Sequence, residues 1–385
     1  MQAAELSIFS RMTALAEQTG AVNLGQGFPD WSGPQALIDA AIEAMVAGHN
    51  QYAPVPGVPA LRRAIAEHQR RHYGIGLDPD REIQVTFGAT EALASALLAL
   101  VRPGDEVAFL DPTYDSYPAV VELAGGRSRP IVLEPPHWRV EAGAVAAAIT
   151  PRTRVLLLNT PHNPTGRVLD AGELELLAAA CREQDVIALT DEVYEHLVFE
   201  GTHVPIATLP GMAERTITVS SLGKTFSVTG WKVGWASGPE PLITRLRGVK
   251  QFLTFAGGTP FQHAAATALG PREDAITDLV TALRSKRDRL AAGLRAAGFD
   301  VLPSAATYFL NVDGSPLGER DATSLCERLP IEAGVVAIPT SAFAADPSGP
   351  TRSLVRFAFP KGDDVLDEAL ARIERWATTR SLALR

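Results

Sequence analysis

The stretch VSSLGKTFSVTGWKVGW, Val219 to Trp235, decides how the rest of the chain reads. It begins inside a β-branched run, TITVSS (Thr216 to Ser221), which predicts a buried strand. The strand ends in a small-residue turn, Leu222-Gly223, and the turn presents Lys224. Most lysines are solvated surface residues, so one at the end of a buried strand needs another reason to be there. Ser221 lies three residues before it and Lys232 eight after it. A hydroxyl and a cation flanking one amine suit an anionic ligand that bears a carbonyl. Lys224 could attack the carbonyl while Ser221 and Lys232 hold a phosphate.

Upstream, the same pattern repeats. Short apolar strands are predicted at Ile83–Thr86, Val107–Leu110, Arg154–Leu158 and Val186–Thr190, with helices such as Glu91–Leu100 and Ala171–Glu183 between them. Apolar runs alternating with helices predict a mostly parallel sheet covered on both faces, an α/β fold. Ligands of such sheets bind at the carboxyl ends of the strands. Here those ends carry Tyr114, Asn163, Asp191 with Tyr194, and Lys224. A turn-forming Asn or Asp, or a core Tyr, is unremarkable alone; four at equivalent topological positions point to a site. After Ile83–Thr86, the turn Phe87-Gly88-Ala89-Thr90 leaves backbone N–H groups at a helix N-terminus, an arrangement that binds phosphate.

Nearer the N-terminus, Glu5–Gln18 predicts an amphipathic helix with Leu6, Phe9, Met12, Leu15 and Ala16 on one side. Pro34–Ala47 and Pro59–His72 predict two more helices. Gly25 and Gly27 in AVNLGQGFPDW (Ala21 to Trp31) allow close approach of a ligand or mark an ordinary loop. Tyr52 lies in the Pro- and Gly-rich loop after Asn50, as a surface anchor or a ligand contact. Beyond Gly270 the character changes. A long charged helix, Glu273–Ala297, precedes strands at Phe299–Leu302, Thr307–Val312, Val335–Ile338 and Leu354–Ala358, with helices at Thr323–Leu329 and Asp364–Thr378. This predicts a smaller α+β unit. The expected organisation is an arm at residues 1–35, a large domain at 36–267 and a small domain at 268–385. Arg356 sits mid-strand among apolar residues and requires an anionic partner, either a buried carboxylate or a bound ligand.

With 385 residues, the chain can bury a large core. A net charge of −9 and a pI near 5.5 argue against nucleic-acid binding. No run approaches the length of a membrane span, and the N-terminus lacks the pattern of a secretory signal. Cys181 and Cys326 form no metal or redox spacing, which predicts buried free thiols, no metal and a cytoplasmic compartment.

Five motifs stand in order: GATEAL (Gly88–Leu93), NTPHNPTG (Asn159–Gly166), TDEVYE (Thr190–Glu195), SSLGKTFSVTGWKVGW (Ser220–Trp235) and VRFAF (Val355–Phe359). Together the chain resembles the class I aminotransferases of the fold-type-I pyridoxal-phosphate enzymes. NLGQGFPD (Asn23–Asp30) and NQYAPVPG (Asn50–Gly57) are similar to the methionine, kynurenine and glutamine aminotransferase branch, and to actinobacterial N-succinyldiaminopimelate aminotransferases.

The resemblance implies roles. Lys224 would carry the pyridoxal phosphate and then move a proton at the substrate Cα. Asp191 would pair with the pyridine nitrogen. Asn163 and Tyr194 would hydrogen-bond the ring oxygen, and Tyr114 would stack on the ring. Ala89, Thr90, Ser221 and Lys232 would hold the phosphate, joined by Tyr52 across a homodimer interface. Some family members carry Arg where this chain has Lys232, a change that keeps the charge and loses the fork. Arg356 would clamp the substrate α-carboxylate, helped by the Gly27 backbone.

For the side-chain pocket, the resemblance implies Phe255 from a partner-chain segment (Gln251–Pro260), with Trp31, Phe28 and Tyr114. That lining suits methionine, an aromatic amino acid, kynurenine or glutamine as donor to a 2-oxo acid. A succinylated diaminopimelate needs extra cations, for which Arg167 and Arg247 are the candidates. A carbon–sulfur β-lyase of the same fold is the nearest competing activity. A ligand-sensing domain of a transcription regulator is the competitor from another class; those carry a winged-helix domain in front, and this chain starts almost directly with the arm. A nicotinamide dehydrogenase is disfavoured because no G-x-G-x-x-G follows the first strand.

Overall fold

The run Val155-Leu156-Leu157-Leu158 has no polar face, so it can be stable only where both sides are covered. The computed structural model describes residues 7–270 and 273–383 and places this run mid-sheet. Val155 and Leu157 join one buried cluster and Leu156 and Leu158 another, on the opposite face. Each such side chain contributes roughly 1.5–3 kcal/mol by its burial.

Seven strands make this sheet: β1 (Ile83–Phe87), β2 (Glu106–Asp111), β3 (Arg127–Val132), β4 (Thr153–Asn159), β5 (Ile187–Asp191), β6 (Thr216–Ser221) and β7 (Val233–Ser237). Their spatial order is β1-β7-β6-β5-β4-β2-β3. Strands β2 to β6 pair in parallel, while β7 runs antiparallel to β6 and β1. The mostly parallel α/β sheet matches the expectation, with two additions. Strand β3, RSRPIV, is an edge strand whose charges and proline hide its apolar pattern. Strand β7 lies inside the opening stretch, where Gly234 interrupts the pattern.

The antiparallel β7 is what assembles the site. Its first residue, Val233, pairs with Phe87 at the end of β1, and Gly234 pairs with Ser221 at the end of β6. Lys232 is thereby brought to the edge where β1 and β6 both end. A Cβ on Gly234 would sit 2.5 Å from the Gly88 carbonyl carbon, so only glycine permits this approach. The turn expected at Leu222-Gly223 is instead a helical turn, Leu222–Thr225, that carries Lys224.

The C-terminal part forms a second, antiparallel sheet from Ile338–Pro339, Leu354–Ala358, Phe309–Asp313 and Asp300–Val301, in that order. The single strand expected at Val335–Ile338 divides in two. Val335–Val336 pairs in parallel with Val22–Asn23, and Ile338–Pro339 joins the other sheet. The strand expected from Thr307 begins at Phe309, because Thr307 has a φ of 74°. The first helix runs Ile8–Thr19, with the Ser7 hydroxyl accepting from the Ser10 N–H; the expected members Glu5 and Leu6 lie outside the described residues. Met12, Ala16 and Leu24 share a core with Phe309, Phe357 and Phe359, so the N-terminal segment packs on the C-terminal sheet.

Candidate active site

The carboxyl edge of the sheet opens into a cavity of about 390 Å³. Gly27, Phe28, Ala89, Thr90, Tyr114, Asn163, Asp191, Tyr194, Ser221, Lys224, Lys232 and Arg356 all line it. One end is built to meet an anion. The helix Gly88–Leu100 starts there, with Gly88 at a φ of 76° and Thr90 exposed. Lys232, itself at a φ of 54°, brings its ammonium so near Gly88 that an added Cβ would lie 3.2 Å from Nζ. The N–H groups of the first helical turn, the Ser221 hydroxyl and this cation together can meet an anion.

Lys224 and Asp191 occupy the middle. Both are enclosed, and burial is the main influence on each. The Lys224 amine is lowered to about 8 by loss of water, reinforced by the Arg356 and Lys232 charges and opposed by Asp191. The amine donates to the Gly27 carbonyl at 3.3 Å and stands over the Tyr194 and Tyr308 rings. Burial raises Asp191 to about 6, against hydrogen bonds from the Tyr117 hydroxyl (2.7 Å) and the Val193 N–H. Tyr194 is pushed well above its ordinary value by burial, so its hydroxyl keeps its proton.

The other end holds Arg356. It is 1% exposed and lies over the Phe309 ring (3.9 Å) and the Phe343 ring (4.3 Å). Its Nη1 donates to Asn163 Oδ1 at 2.8 Å and Nη2 to the Gly25 carbonyl at 3.4 Å, while Nε has no partner. Among the described residues no carboxylate pairs with it, and burial lowers its pKa from the ordinary arginine value. A buried guanidinium that faces a cavity without a carboxylate partner can receive an anion from outside.

Five expected or candidate residues lie elsewhere. Trp31 is a correction: it does not line the cavity but packs on the C-terminal core, with the Lys286 ammonium 5.6 Å over its ring. The cause is the turn before it. Lys361 donates to the Phe28 carbonyl and the Gly362 N–H to the Asp30 carboxylate, which keeps Phe28 at the cavity and carries Trp31 past it. Phe255 and Tyr52 are outside the cavity of a single chain, packed edge-to-face with ring centres 5.4 Å apart. Both stand on the surface, and Tyr52 is 82% exposed. Arg167 is engaged by Glu173 and the His137 carbonyl, and Arg247 by Gln84 and the Ile83 carbonyl, so neither reaches the cavity.

Other residues were missed. Tyr117 holds Asp191, and its signal was its position three residues after Tyr114 at the start of the helix Ser116–Leu123. The Tyr308 hydroxyl donates to the Lys224 carbonyl at 2.5 Å, fixing the helical turn; no local pattern marks a contact across 84 residues. Asn159 carries two links: Nδ2 donates to the Asp191 carbonyl, and Oδ1 accepts from the Asn163 N–H.

A cation at a helix N-terminus, a buried carboxylate, a depressed lysine and a buried arginine without a carboxylate partner surround one cavity, an arrangement that suits a lysine-based cofactor enzyme of the fold-type-I architecture. The comparisons make this specific. The family model "Aminotransferase class I and II" matches residues 19–373. The chain is 50% identical over 377 residues to a probable N-succinyldiaminopimelate aminotransferase of Mycobacterium tuberculosis, covering 95% of each chain. It is 43% identical over 370 residues to the methionine aminotransferase of Escherichia coli, covering 96% of this chain and 95% of that one. The solved structure of the N-succinyldiaminopimelate aminotransferase from Mycobacterium tuberculosis superimposes with a TM-score of 0.94 at 50% identity, covering 97% of both. The chain belongs to the class I and II aminotransferases. These are enzymes that use pyridoxal phosphate and act on amino acids and 2-oxo acids. No helix among the described residues is long and apolar enough to cross a membrane.

Proposed function

We propose that this enzyme takes the amino group from an L-amino acid with an apolar or aromatic side chain and passes it to a 2-oxo acid by ping-pong transfer. The observation that carries the proposal is the cation count of the cavity. Its lining includes three cationic side chains, Lys224, Lys232 and Arg356, and each has a task at the reacting end. Phe9, Phe28 and Phe309 are among the apolar lining left to meet a side chain.

Pyridoxal phosphate, when bound, supplies the carbonyl that takes up the amino group and a ring that accepts the electron pair left at Cα. The residues fit it. The cradle at Gly88, Ser221 and Lys232 would hold the phosphate, and Asp191 would pair with a protonated ring nitrogen. Tyr194 and Asn163 would hydrogen-bond the ring oxygen, and Tyr114 would cover one face. Arg356 and Asn163 fix the donor carboxylate, which orients the Cα–H bond. The Lys224 amine, neutral above about pH 8, takes that proton and returns one on the far side of the reaction. Tyr52 and Phe255, exposed in one chain, complete the site of a second chain in a homodimer.

A second reading follows from the 50% identity to the probable N-succinyldiaminopimelate aminotransferase: a donor with a distal carboxylate. Absorbance titration of the purified holoenzyme with single donors, without oxo acid, separates the two. Loss of the visible cofactor band with methionine or phenylalanine is expected. Loss only with N-succinyldiaminopimelate establishes the second reading. A band unchanged by every donor, or pyruvate release from cystathionine without oxo acid, overturns both.

A further inference from the structure

Four of the eight histidines, His68, His72, His196 and His203, gather behind the cavity just described, and the aminotransferase chemistry uses none of them. His68 and His72 are four residues apart on the helix Pro59–Tyr73, so their rings share one face. His196 comes from the turn five residues after Asp191. The three ring centres are 4.6, 4.8 and 4.9 Å apart, and the ligand nitrogens all lie within 4.8 Å of one another. His68 Nε2 and His196 Nε2 are 2.7 Å apart.

We propose that His68, His72 and His196 form a site for a divalent transition metal of the zinc class, with a fourth position left to water. A tetrahedral ion with Zn–N bonds of about 2.1 Å sets its ligand nitrogens roughly 3.4 Å apart. That spacing falls between the 2.7 Å pair and the 4.8 Å limit, so small rotations of three rings suffice. Imidazole is the ligand type zinc favours, and it binds only when neutral. The Glu195 carboxylate beside the rings offsets the charge of an incoming cation, while the Arg71 charge opposes it.

The surroundings have the features of a metal shell. Buried Gln69 flanks His68 Nδ1 at 3.5 Å; turned to present its oxygen, it would accept from Nδ1–H and leave Nε2 for the ion. A small cavity beside the three rings, lined also by Phe226 and Leu269, has room for about one water. His72 and His196 are only partly buried, which gives the ion an entry path. Glu195 is committed elsewhere, accepting from the Ser220 and Tyr73 hydroxyls. It ties the cluster to β6, whose last residue is Ser221. A bound ion would therefore clamp the helix Pro59–Tyr73 to the segment that carries Asp191 and Tyr194. Without an ion, His68 and His196 form only a hydrogen-bonded pair.

Zinc content decides between the two. Tag-free holoenzyme is stripped with a chelator, equilibrated with ZnCl₂, freed of excess metal and analysed by elemental mass spectrometry. The expected result is about one zinc per chain in the wild type. His72→Gln and His196→Gln should each fall to background while keeping the visible cofactor band, which shows that they fold. Wild-type protein without stoichiometric zinc, or variants that retain as much zinc as wild type, would overturn the proposal.

Discussion

Replacing Arg356 with methionine separates two accounts of that residue by opposite effects on stability. Methionine keeps much of the side-chain length and removes the charge and the fork. If Arg356 receives a substrate carboxylate, the variant loses two charge-assisted hydrogen bonds of about 1.5–3 kcal/mol each. At about 1.4 kcal/mol per factor of ten, kcat/KM with a good donor should fall by roughly two to four powers of ten. Removing a buried cation that has no carboxylate partner should leave the cofactor-free protein as stable as before, or more so. Asn163 Oδ1 loses its donor but faces the cavity, where water can replace it. If Arg356 were instead one half of a structural ion pair, its removal would strand a buried charge and cost about 3–5 kcal/mol of stability with little direct effect on the donor. Steady-state kinetics and thermal unfolding of the cofactor-free protein measure both quantities. A kcat/KM within threefold of wild type, together with a clear drop in Tm, would refute the assignment.

Tyr117→Phe removes the hydroxyl that lowers Asp191 through its 2.7 Å bond. A charge-assisted bond of about 1.5–3 kcal/mol corresponds to roughly one to two pKa units, so the acid limb of the kcat–pH profile should move upward; an unmoved limb would count against Asp191 acting as a carboxylate. Lys224 is lowered to about 8, and only its neutral amine is nucleophilic. Capture of pyridoxal phosphate by the cofactor-free protein, followed by absorbance, should therefore quicken as pH rises from 7 through about 8 and then level off. A rate flat across that range would contradict the burial argument. Lys232→Ala should weaken cofactor retention roughly ten- to hundredfold, for a contact of about 1.5–3 kcal/mol, measured by dialysis and reconstitution. Equal retention would remove Lys232 from the cradle.

The expectations that succeeded share a cause. The strand Leu354–Ala358 and the helix Ala171–Glu183 have the bounds that their local patterns dictate. Val155 to Leu158 could only be a strand covered on both faces, and the sheet it implies has its ligand edge at the carboxyl ends. That reasoning brought Asp191, Asn163, Tyr194 and Lys224 to one cavity, because a parallel sheet places strand ends side by side whatever lies between them in the chain.

Other features depend on the sign of a pairing or on a distant contact. Nothing local says that β7 turns back antiparallel, yet that reversal is what carries Lys232 to Gly88. Trp31 looked like a pocket aromatic until Asp30 and Phe28 were fixed by Gly362 and Lys361, over three hundred residues away. Tyr308 and Tyr117 reach their partners across 84 and 74 residues. Sequence by itself determined the elements, their α/β class and the residue types that can do the chemistry, because these follow from local periodicity and functional groups. Tertiary structure alone decided which side chains meet, how far burial moves Lys224 and Asp191, and that Arg356 faces the cavity with no carboxylate of its own, because desolvation and contact are properties of the packed chain.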